Sequence, residues 1–104
     1  GPYAVAKAGI AALTRQIALD LAPGIRANCV APSAVDTAFL RGGTGRSDEK
    51  QQMRIDLDAY VDKIPLGRIA EPADITGPIL FLLSDASRYI TGQVIHVNGG
   101  TFMP

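Results

Sequence analysis

The stretch YAVAKAGIAALTRQIALDLAPGIRANCVAPSAVDT, residues 3–37, decides the fold. Its first part is rich in alanine and leucine, both good helix formers, and predicts a helix over residues 3–21. Ala4, Ala8, Ala11, Ala12, Ile17, Ala18 and Leu21 give that helix a wide apolar face of little bulk, suited to close approach by another helix. Pro23 and Gly24 end it. IRANCVA, residues 25–31, is then a short apolar run bounded by Pro-Gly and Pro-Ser. Its length and its lack of strict alternation predict a strand covered on both faces. Arg26 and Asn28 fall on one side of it, and Ala27, Cys29 and Ala31 on the other.

Outward from this unit, residues 33–48 read as loop. A second helix is predicted over residues 49–63, with Asp48 as N-cap and Gln51 completing a capping box. Met53, Leu57, Tyr60, Val61 and Ile64 recur at helical spacing as its apolar stripe, and Pro65-Leu66-Gly67 closes it. A third helix is predicted to begin at Pro72, where proline suits the first helical position, and to run to about Ser84. Pro78 lies inside that span, and its missing amide predicts a kink or an irregular start. QVIHV, residues 93–97, reads as a strand that Asn98-Gly99-Gly100 turns out of the sheet. Two strands joined through a helical crossover pair in parallel with a right-handed connection, so the chain is α/β with two parallel strands and about three helices. Parallel strands are normally flanked by further strands, and these two are expected to belong to a larger sheet.

Ten basic residues balance ten acidic ones, which leaves no electrostatic footprint for nucleic acid or an anionic membrane. The longest aliphatic run, PILFLL, is too short to span a bilayer. A single cysteine cannot form an internal disulfide, so a reducing, cytoplasmic location is expected. With one cysteine and one histidine there are too few soft ligands for a thiolate–imidazole metal site. Cys29 and His96 read as structural residues, and Arg68 and Glu71 as a surface ion pair. No initiator methionine is present, and the sequence is expected to be part of a longer product.

Tyr3 and Lys7 stand four residues apart and share a helix face. A free phenol, titrating near pH ~10, is a poor proton donor or acceptor at neutrality, and an adjacent ammonium favours its phenolate form. Taken alone, these five residues are a weak signal and more often describe an exposed helix start with a snorkelling lysine. The motifs that follow them make the pattern specific: N-x-V-x-P ending at Pro32, V-x-T from Val35 to Thr37, P-L-G-R at residues 65–68, E-P, F-L-x-S-D, I-T-G-Q and V-N-G-G. Over essentially all of its length, this ordered set resembles the C-terminal part of the short-chain dehydrogenase/reductase family.

The resemblance implies the C-terminal segment of a single doubly wound Rossmann-type domain, occupying residues 1–104, with a substrate loop and lid helix at about residues 38–64. It implies an oxidoreductase that interconverts an alcohol and a carbonyl with NAD or NADP. Tyr3 would be the catalytic acid or base, and Lys7 would favour the phenolate and hold the nicotinamide ribose. Pro32, Val35 and Thr37 would embrace the nicotinamide carboxamide, and Met53, Leu57 and Tyr60 would face a small-molecule substrate. A homo-oligomer, dimer or tetramer, is also implied. Two positions depart from the family pattern: Ser33 stands where glycine commonly follows the strand-end proline, and Asn98 replaces the commoner aspartate. The family's glycine-rich phosphate loop, its N-A-G element and its catalytic serine precede the tyrosine and are not in this sequence, so the 104 residues alone are expected to be inactive. The competing reading is a non-catalytic assembly or interaction module that uses the flat face of the first helix and the last strand.

Overall fold

The computed structural model describes residues 1–36 and 57–104. In chain order they form α1 (Pro2–Leu21), β1 (Cys29–Pro32), α2 (Leu57–Asp62), α3 (Pro72–Leu83), a 3-10 turn (Asp85–Ser87) and β2 (Val94–Val97). β1 and β2 pair directly. The Cys29 amide donates to the Gln93 carbonyl at 2.8 Å and the Ser33 amide to the Val97 carbonyl at 3.2 Å. Partner numbers rising together define a parallel ladder, as the helical crossover predicts. The expected helix N-cap at Asp48 and the start of the second helix fall outside the described residues. The described part of α2 ends within the predicted span.

The residues divide into two compact units, Gly1–Ala31 with Gly77–His96, and Pro32–Thr76 with Val97–Pro104. In the first, α1 begins with Pro2, which carries no amide to leave unpaired. It ends where the amides of Gly24 and Ile25 both donate to the Leu21 carbonyl, at 3.1 and 3.0 Å. Part of the flat face meets a loop: Ala18 is buried, and a methyl added at Gly92 would lie 3.5 Å from its Cβ. Thr14 is buried beside it with its hydroxyl donating back to the Ile10 carbonyl at 2.8 Å, so no polar atom there is left unpaired. Most of the remaining face is open, Ile17 and Leu21 among it.

The first strand is shorter than its sequence suggests, beginning at Cys29 rather than Ile25. Side chains take over the pairing in between. The Ala27 amide donates to Thr91 Oγ1 at 3.1 Å, the Gln93 amide donates to Asn28 Oδ1 at 3.0 Å, and Asn28 Nδ2 donates to the Ile90 carbonyl at 3.0 Å. Arg26 reaches past them and donates to the carbonyls of Ile90 and Leu82 at 3.1 and 3.0 Å. The Leu82 carbonyl, at the end of α3, also accepts from the buried Ser87 hydroxyl at 3.0 Å. A guanidinium at a helix C-terminus satisfies carbonyls that lack helical partners and complements the macrodipole. α3 itself runs without interruption through Pro78.

Among the described residues of the second unit, Ile64, the last member of the predicted stripe, is buried. The chain leaves α2 through the Lys63 and Ile64 amides, which donate to Tyr60 and Val61 at 3.1 and 3.0 Å. Gly67 follows with φ +78°, and the Leu66 amide donates to the Gly99 carbonyl at 3.0 Å. Asn98 pins the turn after β2: its Oδ1 accepts from the Gly100 amide and its Nδ2 donates to the Phe102 carbonyl, both at 2.9 Å. The Asn98 side chain thus shapes the turn with both its acceptor and its donor.

Candidate functional site

Within the first unit, Tyr3 and Lys7 occupy the first two turns of α1, where their spacing brings both side chains to one face. Lys7 Nζ lies over the Tyr3 ring, 5.3 Å from its centroid. That is cation–π geometry, with the charge on the ring face. Tyr3 is 74% exposed, so its hydroxyl is open to a reacting group. Lys7 also lines an open concavity of about 420 Å³ with Ala8, Ala11, Cys29, Val30 and His96. Cys29 is half-buried, and its thiol lies 3.8 Å from the Val30 carbonyl. His96 is exposed on β2.

Pro32 and Val35 belong to the second unit. Pro32 closes β1, and residues 33–36 follow it. Val35 forms an isolated parallel bridge with Ala70, and the Asp36 amide donates to the Ala70 carbonyl at 2.7 Å. Thr37 and Met53 lie outside the described residues; Leu57 is the first described residue of α2, and Tyr60 is half-buried on that helix. The structure thus brings Tyr3 and Lys7 together and places Pro32 and Val35 along one loop.

One element near this loop escaped the sequence reading. Arg68 pairs with Asp74 rather than with the predicted Glu71: its two terminal nitrogens donate to the two carboxylate oxygens at 2.6 and 2.9 Å. Asp74 Oδ2 also accepts the Glu71 amide at 2.8 Å. Glu71 precedes Pro72 at the start of α3, so Asp74 stands at the third helical position and forms the reciprocal half of a capping box. The E-P-A-D pattern carries that signal; proximity in sequence had favoured Glu71 instead. The Arg68 hydrogen bonds, then the Glu71 amide, hold the Asp74 carboxyl well below the ordinary carboxylate range. Asp74 in turn raises the Arg68 guanidinium. Arg68, Ala70 and Asp74 line a cavity of about 140 Å³ together with Ser33, Val97 and Asn98. Among the described residues no cluster of three or more His, Cys, Asp or Glu is placed to hold a metal ion, and no helix is long and apolar enough to cross a membrane.

Comparison with known proteins gives the chain a family. A family profile described as Enoyl-(Acyl carrier protein) reductase matches residues 1–101. The 3-oxoacyl-(acyl-carrier-protein) reductase FabG of Buchnera aphidicola is 43% identical over 103 residues, covering 98% of this chain and 38% of the relative. An L-rhamnose 1-dehydrogenase (NAD(P)(+)) of Azotobacter vinelandii is 37% identical over 102 residues, 97% of this chain and 37% of that protein. The ligand-free aldohexose dehydrogenase of Thermoplasma acidophilum superposes with a TM-score of 0.81 at 33% identity, over 95% of this chain and 40% of its own. A short-chain dehydrogenase of Leptospira borgpetersenii solved with bound NAD+ gives a TM-score of 0.75 at 35% identity, over 97% and 35%. The chain therefore spans less than half the length of the relatives it matches.

Proposed function

This chain belongs to the short-chain dehydrogenase/reductase family, and from that premise we propose that the protein carrying it interconverts an alcohol and a carbonyl with NAD or NADP. Catalysis is proposed for that protein and not for these 104 residues in isolation. The observation that carries the reading is the ammonium of Lys7 set over the ring of an exposed Tyr3. When bound, the nicotinamide takes up or gives back a hydride. Tyr3 Oη receives the proton of the alcohol in the oxidative direction and returns one to the carbonyl oxygen in the reductive direction. Lys7 holds its ammonium over the ring that bears this hydroxyl.

The residues present fit a dinucleotide. An ammonium offers three donors to the ribose hydroxyls. In open α/β sheets ligands bind beyond the carboxyl ends of the strands, and residues 33–36 follow the carboxyl end of β1. Pro32, Val35 and Thr37 are proposed to hold the carboxamide end through that loop, and Met53, Leu57 and Tyr60 to face the small-molecule substrate.

Tyr3→Phe tests the reading. Turnover is expected to fall by about 10²–10⁴-fold, the usual contribution of a general acid or base, with dinucleotide affinity retained. A variant that keeps its rate removes Tyr3 from the mechanism.

A second reading, association through α1 as a dimer or tetramer, is favoured by the exposure of Val5, Ile10, Leu13 and Leu19 on that helix. Sedimentation of the protein tests it, with a purely monomeric species counting against it.

A further inference from the structure

We infer that the Arg68–Asp74 pair is a positioning element for the loop proposed to carry the nicotinamide end of the cofactor. The inference rests on the role proposed above for Val35. The geometry runs through one short segment. Asp74 grips residues 68–71 twice, through both terminal nitrogens of Arg68 and through the Glu71 amide at 2.8 Å. Ala70 lies between those two grips, so its carbonyl is fixed in direction. That carbonyl accepts the Asp36 amide at 2.7 Å, and the same residue bridges Val35.

A bidentate guanidinium–carboxylate contact fixes orientation as well as distance, which a single ammonium cannot do. The pair is also open enough to be changed without disturbing a core, the Arg68 and Asp74 side chains being 59% and 31% exposed. An exposed ion pair adds little to global stability. Its effect therefore falls on the loop it braces.

The test compares NADH or NADPH, whichever the protein binds, with ADP-ribose or its 2′-phosphate, which lacks the nicotinamide. In Arg68→Gln, Kd for the dinucleotide is expected to rise about tenfold and kcat to fall about 10–100-fold, the scale on which small misplacements remote from the chemistry act. Affinity for the nicotinamide-free fragment stays within about twofold under the same reasoning. Arg68→Lys keeps the charge but loses the fork, and is expected to recover only part of the dinucleotide affinity. Amide hydrogen exchange at Asp36 gives a second readout independent of any ligand, and it should accelerate in Arg68→Gln and in Asp74→Asn. Equal loss for dinucleotide and fragment, or unchanged exchange at Asp36, overturns the inference while leaving the cofactor reading intact. A wild-type protein that binds no dinucleotide overturns both.

Discussion

Replacing Gly99 by alanine is the sharpest perturbation of the turn after β2. Gly99 has φ +63°, and a Cβ built there lies 2.7 Å from Ile64 Cγ2 and 3.7 Å from Leu66 Cβ. Carbon pairs pack best at about 3.5–4.0 Å, so the new methyl overlaps Ile64 by about an ångström. Ile64 is only 5% exposed and is branched at Cβ, which restricts the rotations that could relieve the overlap. The left-handed backbone costs an alanine about 1–2 kcal/mol. Overpacking adds about 1–3 kcal/mol, for a total of about 2–5 kcal/mol.

Gly67 supplies the control: its φ is +78° but no atom lies within 4 Å of an added Cβ. Gly67→Ala should therefore cost only the backbone share, about 1–2 kcal/mol. Ile64→Leu removes the Cγ2 methyl for less than about 1.5 kcal/mol. Combined with Gly99→Ala it should recover the overpacking share as a coupling energy of about 1–3 kcal/mol. Urea unfolding of wild type and these four variants, read as changes in midpoint at constant slope, measures each part. If Gly99→Ala costs no more than Gly67→Ala, or if Ile64→Leu restores nothing, the steric account of this turn is refuted.

Lys7→Met removes the ammonium over the Tyr3 ring and should weaken dinucleotide binding about tenfold or more, the scale of one charge-assisted hydrogen bond, where Tyr3→Phe leaves it unchanged. Arg26→Met strips the C-terminal carbonyls of α3 of their charged donor and should lower stability by about 1.5–3 kcal/mol in a urea titration. Ser87→Ala removes a buried hydroxyl from the same cluster and should cost about 1 kcal/mol. Asp74 has a carboxyl whose folded pKa is depressed, so its stabilising contribution is complete above the unfolded value near 3.8 and is lost as pH falls from there through the folded one. Asp74→Asn should therefore lie below wild type in thermal stability by a small, constant margin at neutral pH, and the margin should shrink below about pH 4. A margin independent of pH assigns the effect to something other than that carboxylate.

The helices were legible because their signals are local. Pro2 and the alanine-rich run set α1, and Pro72 sets the start of α3. The stripe ending at Ile64 identified a residue that is indeed buried. The start of β1 was not legible: Ile25 to Asn28 have the composition of a strand, but Asn28 and Thr91 side chains compete successfully for the backbone groups there. The same limit hid the brace at the loop. Val35 and Thr37 could be picked out as a motif, but that Ala70 holds Val35 follows from pairing between segments far apart in sequence. Arg68 and Asp74 find each other only because Pro72 turns the chain into α3 between them. Tyr3 and Lys7, by contrast, needed only a helix.

The contacts made by Arg26 and Asn28 also set a timetable. Their partners in residues 82–93 are separated from them by 56 to 65 positions. At about 5–20 residues per second, a ribosome adds that much chain in about 3–13 s. For that interval α1 can coil as it emerges, since helices form in about a microsecond. The pairing of the first strand with the second waits until residues 93–97 have been synthesised. Nascent chains halted before residue 82 should therefore be helical yet lack all of these contacts of Arg26 and Asn28, and protection of residues 25–32 from protease should rise once residues 82–97 are in place. Resistance should then arrive in one step rather than gradually.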